Sequence, residues 1–137
     1  MASKFLIVID WFAMACGYRE ACEKYAEAME KLAFRLVELI SLSLGLPAEY
    51  FNSKFEEQTS LVRLNHYSPC PLPELTLGVG AHKDGGALTV LAQDDVGGLQ
   101  VKRKDGEWIG VKPMPNSFVI NVGDCMQVSS FCFSIHV

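Results

Sequence analysis

The chain has 137 residues, half of them apolar and 20% charged, and 12 Lys+Arg against 16 Asp+Glu give it a net charge of −4. That length suits one domain and that apolar share is ample for a packed core, which excludes a wholly disordered chain. The four arginines, Arg19, Arg35, Arg63 and Arg103, form no basic face, and no apolar run approaches the roughly 20 residues that span a bilayer, so neither nucleic acid nor membrane is an expected partner.

Residues 1–17 show neither a helical nor a strand period. Phe5 to Cys16 is apolar apart from Asp10, a faint signal-peptide outline that a carboxylate at its centre argues against, and a cytoplasmic chain is expected. Cys16, Cys22, Cys70, Cys125 and Cys132 are irregularly spaced and contain no C-x-x-C. They read as free thiols in a reducing compartment, each behaving as a small buried hydrophobe.

From Tyr18 to Leu44 the apolar residues Tyr25, Met29, Leu32, Ala33, Leu36, Val37, Leu39 and Ile40 recur mostly at three- and four-residue steps. The spacing predicts an amphipathic helix whose charged face is solvated surface. Gly45 and Pro47 mark its end, and a second short helix is expected over Pro47 to Phe55. After Gln58 a strand is expected, with Val62, Leu64 and His66 on one face and Arg63, Asn65 and Tyr67 on the other. Pro69, Pro71 and Pro73 then impose a stiff loop. Strands are predicted over Leu75–Asp84, Ala87–Gln93, Gly98–Lys104, Glu107–Lys112 and Ser117–Val122, with Asp105-Gly106 as a hairpin turn. Helices followed by short strands give an α+β chain whose β part is an antiparallel barrel or double-sheet jelly roll.

The sharpest chemical feature is His82-Lys83-Asp84 before Gly85-Gly86. Side chains two apart on an extended chain share a direction, so His82 and Asp84 address one point while Lys83 faces away. An imidazole converging with a carboxylate is the start of a two-His-one-carboxylate site for Fe(II). H-x-D by itself is equally served by a strand-end histidine beside a turn-capping aspartate.

The surrounding motifs are more specific. Leu64-Asn65-His66-Tyr67-Ser68-Pro69, Leu77-Gly78-Val79-Gly80-Ala81-His82-Lys83-Asp84, Gly86-Ala87-Leu88-Thr89-Val90-Leu91, Val96-Gly97-Gly98-Leu99-Gln100-Val101, Gly106-Glu107-Trp108-Ile109 and Asn121-Val122-Gly123-Asp124 follow in order. They resemble the plant 2-oxoglutarate/Fe(II)-dependent dioxygenases, most of all the branch with flavonol synthase and anthocyanidin synthase. The resemblance runs from about Tyr18 to Val128. It implies a helical part over residues 18–57 and a partial double-stranded β-helix (jelly roll) over 58–128, with 1–17 unmatched and 129–137 a divergent tail.

The resemblance further implies Fe(II), 2-oxoglutarate as cosubstrate, and room for ascorbate. His82 and Asp84 match the first two iron ligands, and Asn65 and Tyr67 match residues that reach 2-oxoglutarate. Without the neighbouring motifs, Asn65 would read as a turn residue and Tyr67 as a core aromatic. His66, between them, faces the other way and reads as structural. The activity implied is oxidation of a small organic substrate, flavonoid-like or another specialised metabolite, with release of succinate and CO2.

Two departures stand against activity. The family's Arg-x-Ser, which grips the far carboxylate of 2-oxoglutarate, is absent: the arginines are followed by Glu-Ala, Leu-Val, Leu-Asn and Lys-Asp. His136 is the candidate third ligand, but it arrives early and its neighbours match the distal motif poorly, so a coincidental histidine in a divergent tail is the favoured reading. The chain therefore reads as truncated at both ends and inactive as it stands, with a non-catalytic isoform or a binding-only jelly roll as the alternatives.

Overall fold

Strand β1 (Lys4–Asp10) precedes helix α1 (Tyr18–Ser43) in the computed structural model, which describes residues 4–10, 18–56 and 59–126. Along α1, Met29, Ala33, Val37 and Ser41 recur every fourth residue and are buried. One stripe therefore faces the core, with Tyr25, Leu32, Phe34, Leu36 and Ile40 packed partly buried beside it. The outer face carries the exposed pairs Arg19–Glu23 and Lys24–Glu20, at 2.8 and 2.7 Å, which contribute little to stability. The helix closes in a Schellman turn: Gly45 N–H donates to the Leu42 carbonyl and Leu46 N–H to the Ser41 carbonyl, both at 3.0 Å, with Gly45 at φ 73°. The expected short helix is present as a 3-10 helix, Ala48–Lys54, with Pro47 just before it. Such tight turns suit short connectors, and this one turns Phe51 and Phe55 into the core.

Four strands form a mixed sheet in the order β2 (Thr59–Asn65), β1, β3 (Leu88–Leu91), β6 (Val119–Val122). β1 runs parallel to both neighbours, Lys4 opposite Thr59 and Phe5 opposite Leu88, whereas β6 is antiparallel to β3. Leu88, Thr89 and Val90 are all buried, as a strand covered on both faces requires. β4 (Gln100–Lys102) and β5 (Trp108–Gly110) make a separate antiparallel hairpin. Its turn is the predicted one: Gly106 has φ 93°, its N–H donates to the Arg103 carbonyl at 3.0 Å, and Arg103 N–H donates to the Glu107 carbonyl at 2.8 Å. The α+β arrangement is that of an incomplete double-stranded β-helix.

Four expectations need correction. First, a strand precedes the helix, in the segment that carries no clear period. Lys-Phe-Leu-Ile-Val-Ile-Asp is a near-continuous apolar run, the pattern of an interior parallel strand rather than of a half-exposed one. Second, Leu75–Asp84 is no strand: a 3-10 turn, Pro73–Leu75, leads into unpaired irregular backbone. Leu75 and Leu77 are 78% and 81% exposed, so their alternation follows an extended chain without a neighbouring ladder. Third, the remaining strands are shorter than predicted, at Leu88–Leu91, Gln100–Lys102, Trp108–Gly110 and Val119–Val122. Fourth, Cys70 is exposed and Cys22 and Cys125 are only partly buried, none of the three in a disulfide; Cys16 and Cys132 lie outside the described residues. Among the described residues no helix is long and apolar enough to cross a membrane.

Candidate metal centre at the His82–Asp84 segment

The segment that carries His82 and Asp84 is held in place by its backbone. Asp124 N–H donates to the Asp84 carbonyl at 2.8 Å, Gly123 N–H to Ala87 at 3.0 Å, and Cys125 N–H to Gly86 at 3.3 Å. The chain leaving β6 therefore lies directly on the Asp84–Ala87 turn. Gly123 permits this closeness, since a Cβ there would stand 2.2 Å from the Gly86 oxygen and 2.7 Å from that of Asp84. Lys83 points elsewhere, toward Asp124 at 3.9 Å.

The side chains of His82 and Asp84 converge as their spacing predicts, with Nε2 3.4 Å from Oδ1. His82 Nδ1 lies 2.9 Å from the Gly80 carbonyl. A carbonyl only accepts, so Nδ1 carries a proton, and in the neutral form of the ring Nε2 is the lone-pair atom. Asp84 is anchored through its other oxygen: Oδ2 accepts from Thr89 Oγ1 at 2.8 Å and from Asn121 Nδ2 at 2.7 Å. With the ring in that form, Oδ1 and Nε2 are two lone-pair atoms facing each other, at a separation beyond that of an ordinary N–H···O bond. Two ligand atoms about 2.0–2.2 Å from one cation stand about 2.8–3.6 Å apart at octahedral to tetrahedral angles, so the pair fits two corners of a metal site. The carboxylate is mostly buried and the imidazole is open to solvent, at 16% and 58% exposure.

The other expected site residues are placed less closely. Asn65 ends β2 and is half-buried, and His66 beyond it is exposed. Tyr67, also exposed, lays its ring against Gly78, where a Cβ would come within 2.7 Å of Cε1. It therefore packs on the segment that leads to His82. Among the described residues no third His, Cys, Asp or Glu joins the pair, and His136 lies outside them. In the neighbouring proline loop, the Thr76 hydroxyl, followed by the Leu72 backbone, holds the Cys70 thiol below its ordinary pKa. In α1, burial raises that of Tyr25.

Sequence reasoning did not single out Thr89 or Asn121, nor the carbonyl of Gly80. Asn121 sits inside a recognised motif, but its bond to Asp84 depends on strand register, which only pairing reveals.

Comparison with known proteins agrees with this geometry. The pattern of the 2OG-Fe(II) oxygenase superfamily matches residues 58–136, so the likeness extends past Val128 and takes in His136. Gibberellin 20 oxidase 2 of Arabidopsis thaliana is 44% identical over 128 residues, which cover 90% of this chain and 34% of that protein. Protein DMR6-LIKE OXYGENASE 1, also of Arabidopsis thaliana, is 44% identical over 121 residues, 88% of this chain and 34% of the relative. The chain thus spans about a third of the length of these relatives. Among solved structures, JOX2 in complex with 2OG, Fe and JA superposes with a TM-score of 0.73 at 36% identity, covering 86% of this chain and 36% of that one. With its motifs in register, its incomplete β-helix and its converging imidazole and carboxylate, this chain belongs to the 2OG-Fe(II) oxygenase superfamily.

Proposed function

We propose that the chain carries the metal-binding half of a 2-oxoglutarate- and Fe(II)-dependent dioxygenase that oxidises a small organic substrate of plant metabolism. The observation that carries this reading is the facing of His82 Nε2 and Asp84 Oδ1 across 3.4 Å, with Gly80 on the other ring nitrogen and Thr89 and Asn121 on the other carboxylate oxygen. Ferrous ion, when bound there, supplies the dioxygen chemistry. The protein's own residues position it. Gly80 sets the ring and its tautomer, and Thr89 and Asn121 set the carboxylate. Asn65, at the end of β2, and Tyr67, two residues beyond it, offer an amide and a phenol to a dicarboxylate, which needs fixed donors once it leaves water. His136 falls within the family match and is the histidine proposed to add a third ligand. The names of the relatives, one a gibberellin oxidase and one solved with JA, support a small-molecule substrate. Flavonoid-like compounds and other specialised metabolites belong to that class.

These 137 residues are proposed to bind metal without turning over. None of the four arginines is followed by x-Ser, and a lysine supplies a point charge where a guanidinium would grip a carboxylate in a bidentate fork. Titration of the chain with Co(II), followed by visible absorption, is expected to give a bound spectrum that His82→Ala abolishes. The same chain with ferrous iron and 2-oxoglutarate is expected to form no succinate above background. Absence of a His82-dependent spectrum would defeat the metal reading, whereas His82-dependent succinate formation would defeat the claim of inactivity alone.

A further inference from the structure

We propose that Thr89 and Asn121 act together as positioning residues that reserve Asp84 Oδ1 for the metal by occupying Oδ2 with two hydrogen bonds. The inference rests on the metal reading above and adds to it the means by which the carboxylate is held to one-oxygen ligation.

The two donors come from different strands but from one rung of the ladder. Thr89 lies directly opposite Asn121 in the antiparallel β3–β6 pair. Opposed residues project to the same face of a sheet, and both side chains reach the same oxygen, at 2.8 and 2.7 Å. Thr89 is 4% exposed, one of the few buried polar side chains among the described residues. A hydroxyl so placed is costly unless bonded, and it donates to the Asp84 carboxylate. Asn121 adds a second donor, an amide N–H, so a rotation of the carboxyl that brought Oδ2 toward the metal would break both bonds at once.

The backbone completes the clamp. Asp124 N–H on the Asp84 carbonyl fixes the main chain of the ligand, while the rung fixes its side chain. A one-residue slip of β6 against β3 would turn Asn121 to the face opposite Thr89, so the register of this strand pair decides whether both donors reach Asp84. Partners of this kind around metal ligands change metal affinity by about 10–100-fold when removed.

The test uses the whole chain and Co(II), read by affinity and by the d–d absorption spectrum, which reports ligation and not fold. Thr89→Val, which keeps the shape and removes the hydroxyl, and Asn121→Leu are each expected to weaken Co(II) binding about tenfold or more and to shift the spectrum. Thr89→Ser is expected to restore both. Ser41→Ala removes a buried hydroxyl that serves only the Val37 carbonyl in α1, and is expected to change neither, which separates positioning from general loss of stability. Wild-type affinity and an unchanged spectrum in Thr89→Val and Asn121→Leu would overturn the inference and leave the metal reading intact. So would a Thr89→Ser variant that stays as weak as Thr89→Val. Failure of the unaltered chain to give a His82-dependent spectrum would remove both.

Discussion

At the scale of single residues, the site depends on atoms that have no reactive chemistry of their own. Gly123 is the strictest case. Its missing side chain lets β6 continue onto the Asp84–Ala87 turn, and the nearest obstacle to a Cβ is backbone oxygen, which has no rotamer to escape by. Gly123→Ala is expected to break the bonds from Gly123 to Ala87 and from Asp124 to Asp84, and to destabilise the chain by about 2 kcal/mol or more. A lowered urea midpoint together with lost Co(II) binding would register it. The candidate ligands were legible in the sequence because two-residue alternation survives even in irregular extended chain. Their supports were not, since hydrogen bonds from Thr89, Asn121 and the Gly80 carbonyl arise from where distant strands meet.

At the scale of elements, α1 is the part whose sequence and structure agree most closely. Its buried stripe at Met29, Ala33, Val37 and Ser41 and its stop at Gly45 follow from local rules. Gly45 has open space around it and φ 73°, so a side chain there meets backbone strain and no clash. Gly45→Ala is expected to cost about 1 kcal/mol, measurable as a small drop in urea midpoint with Co(II) affinity unchanged. The strands were harder to read. Leu75, Leu77 and Val79 alternate like a strand yet stand exposed, because periodicity reports an extended backbone and is silent on whether a partner ladder exists. β1 errs in the opposite sense: an interior strand needs no alternation, so its pairing with β2 and β3 left no periodic mark.

At the scale of the whole molecule, the β part presents much apolar surface to water. Val101, Trp108 and Ile109 on the hairpin and Ile120 and Val122 on β6 are 39–49% exposed, and Leu72, Leu75 and Leu77 exceed half. A roll closed between two packed sheets would cover such rows, and open apolar faces favour association. The isolated 137-residue chain is therefore expected to bind the dye anilinonaphthalene sulfonate in its native state and to melt broadly at moderate temperature. A sharp transition above about 90 °C with no dye binding would contradict this.

The opposed Thr89–Asn121 rung ties this molecule's conformational equilibrium to ion occupancy. A cation that binds only where both donors grip Asp84 favours the native pairing over every slipped alternative, and thermodynamic linkage converts its affinity into resistance to unfolding. In so open a scaffold, the bound ion would then serve as a structural fastener as well as a reactant's anchor.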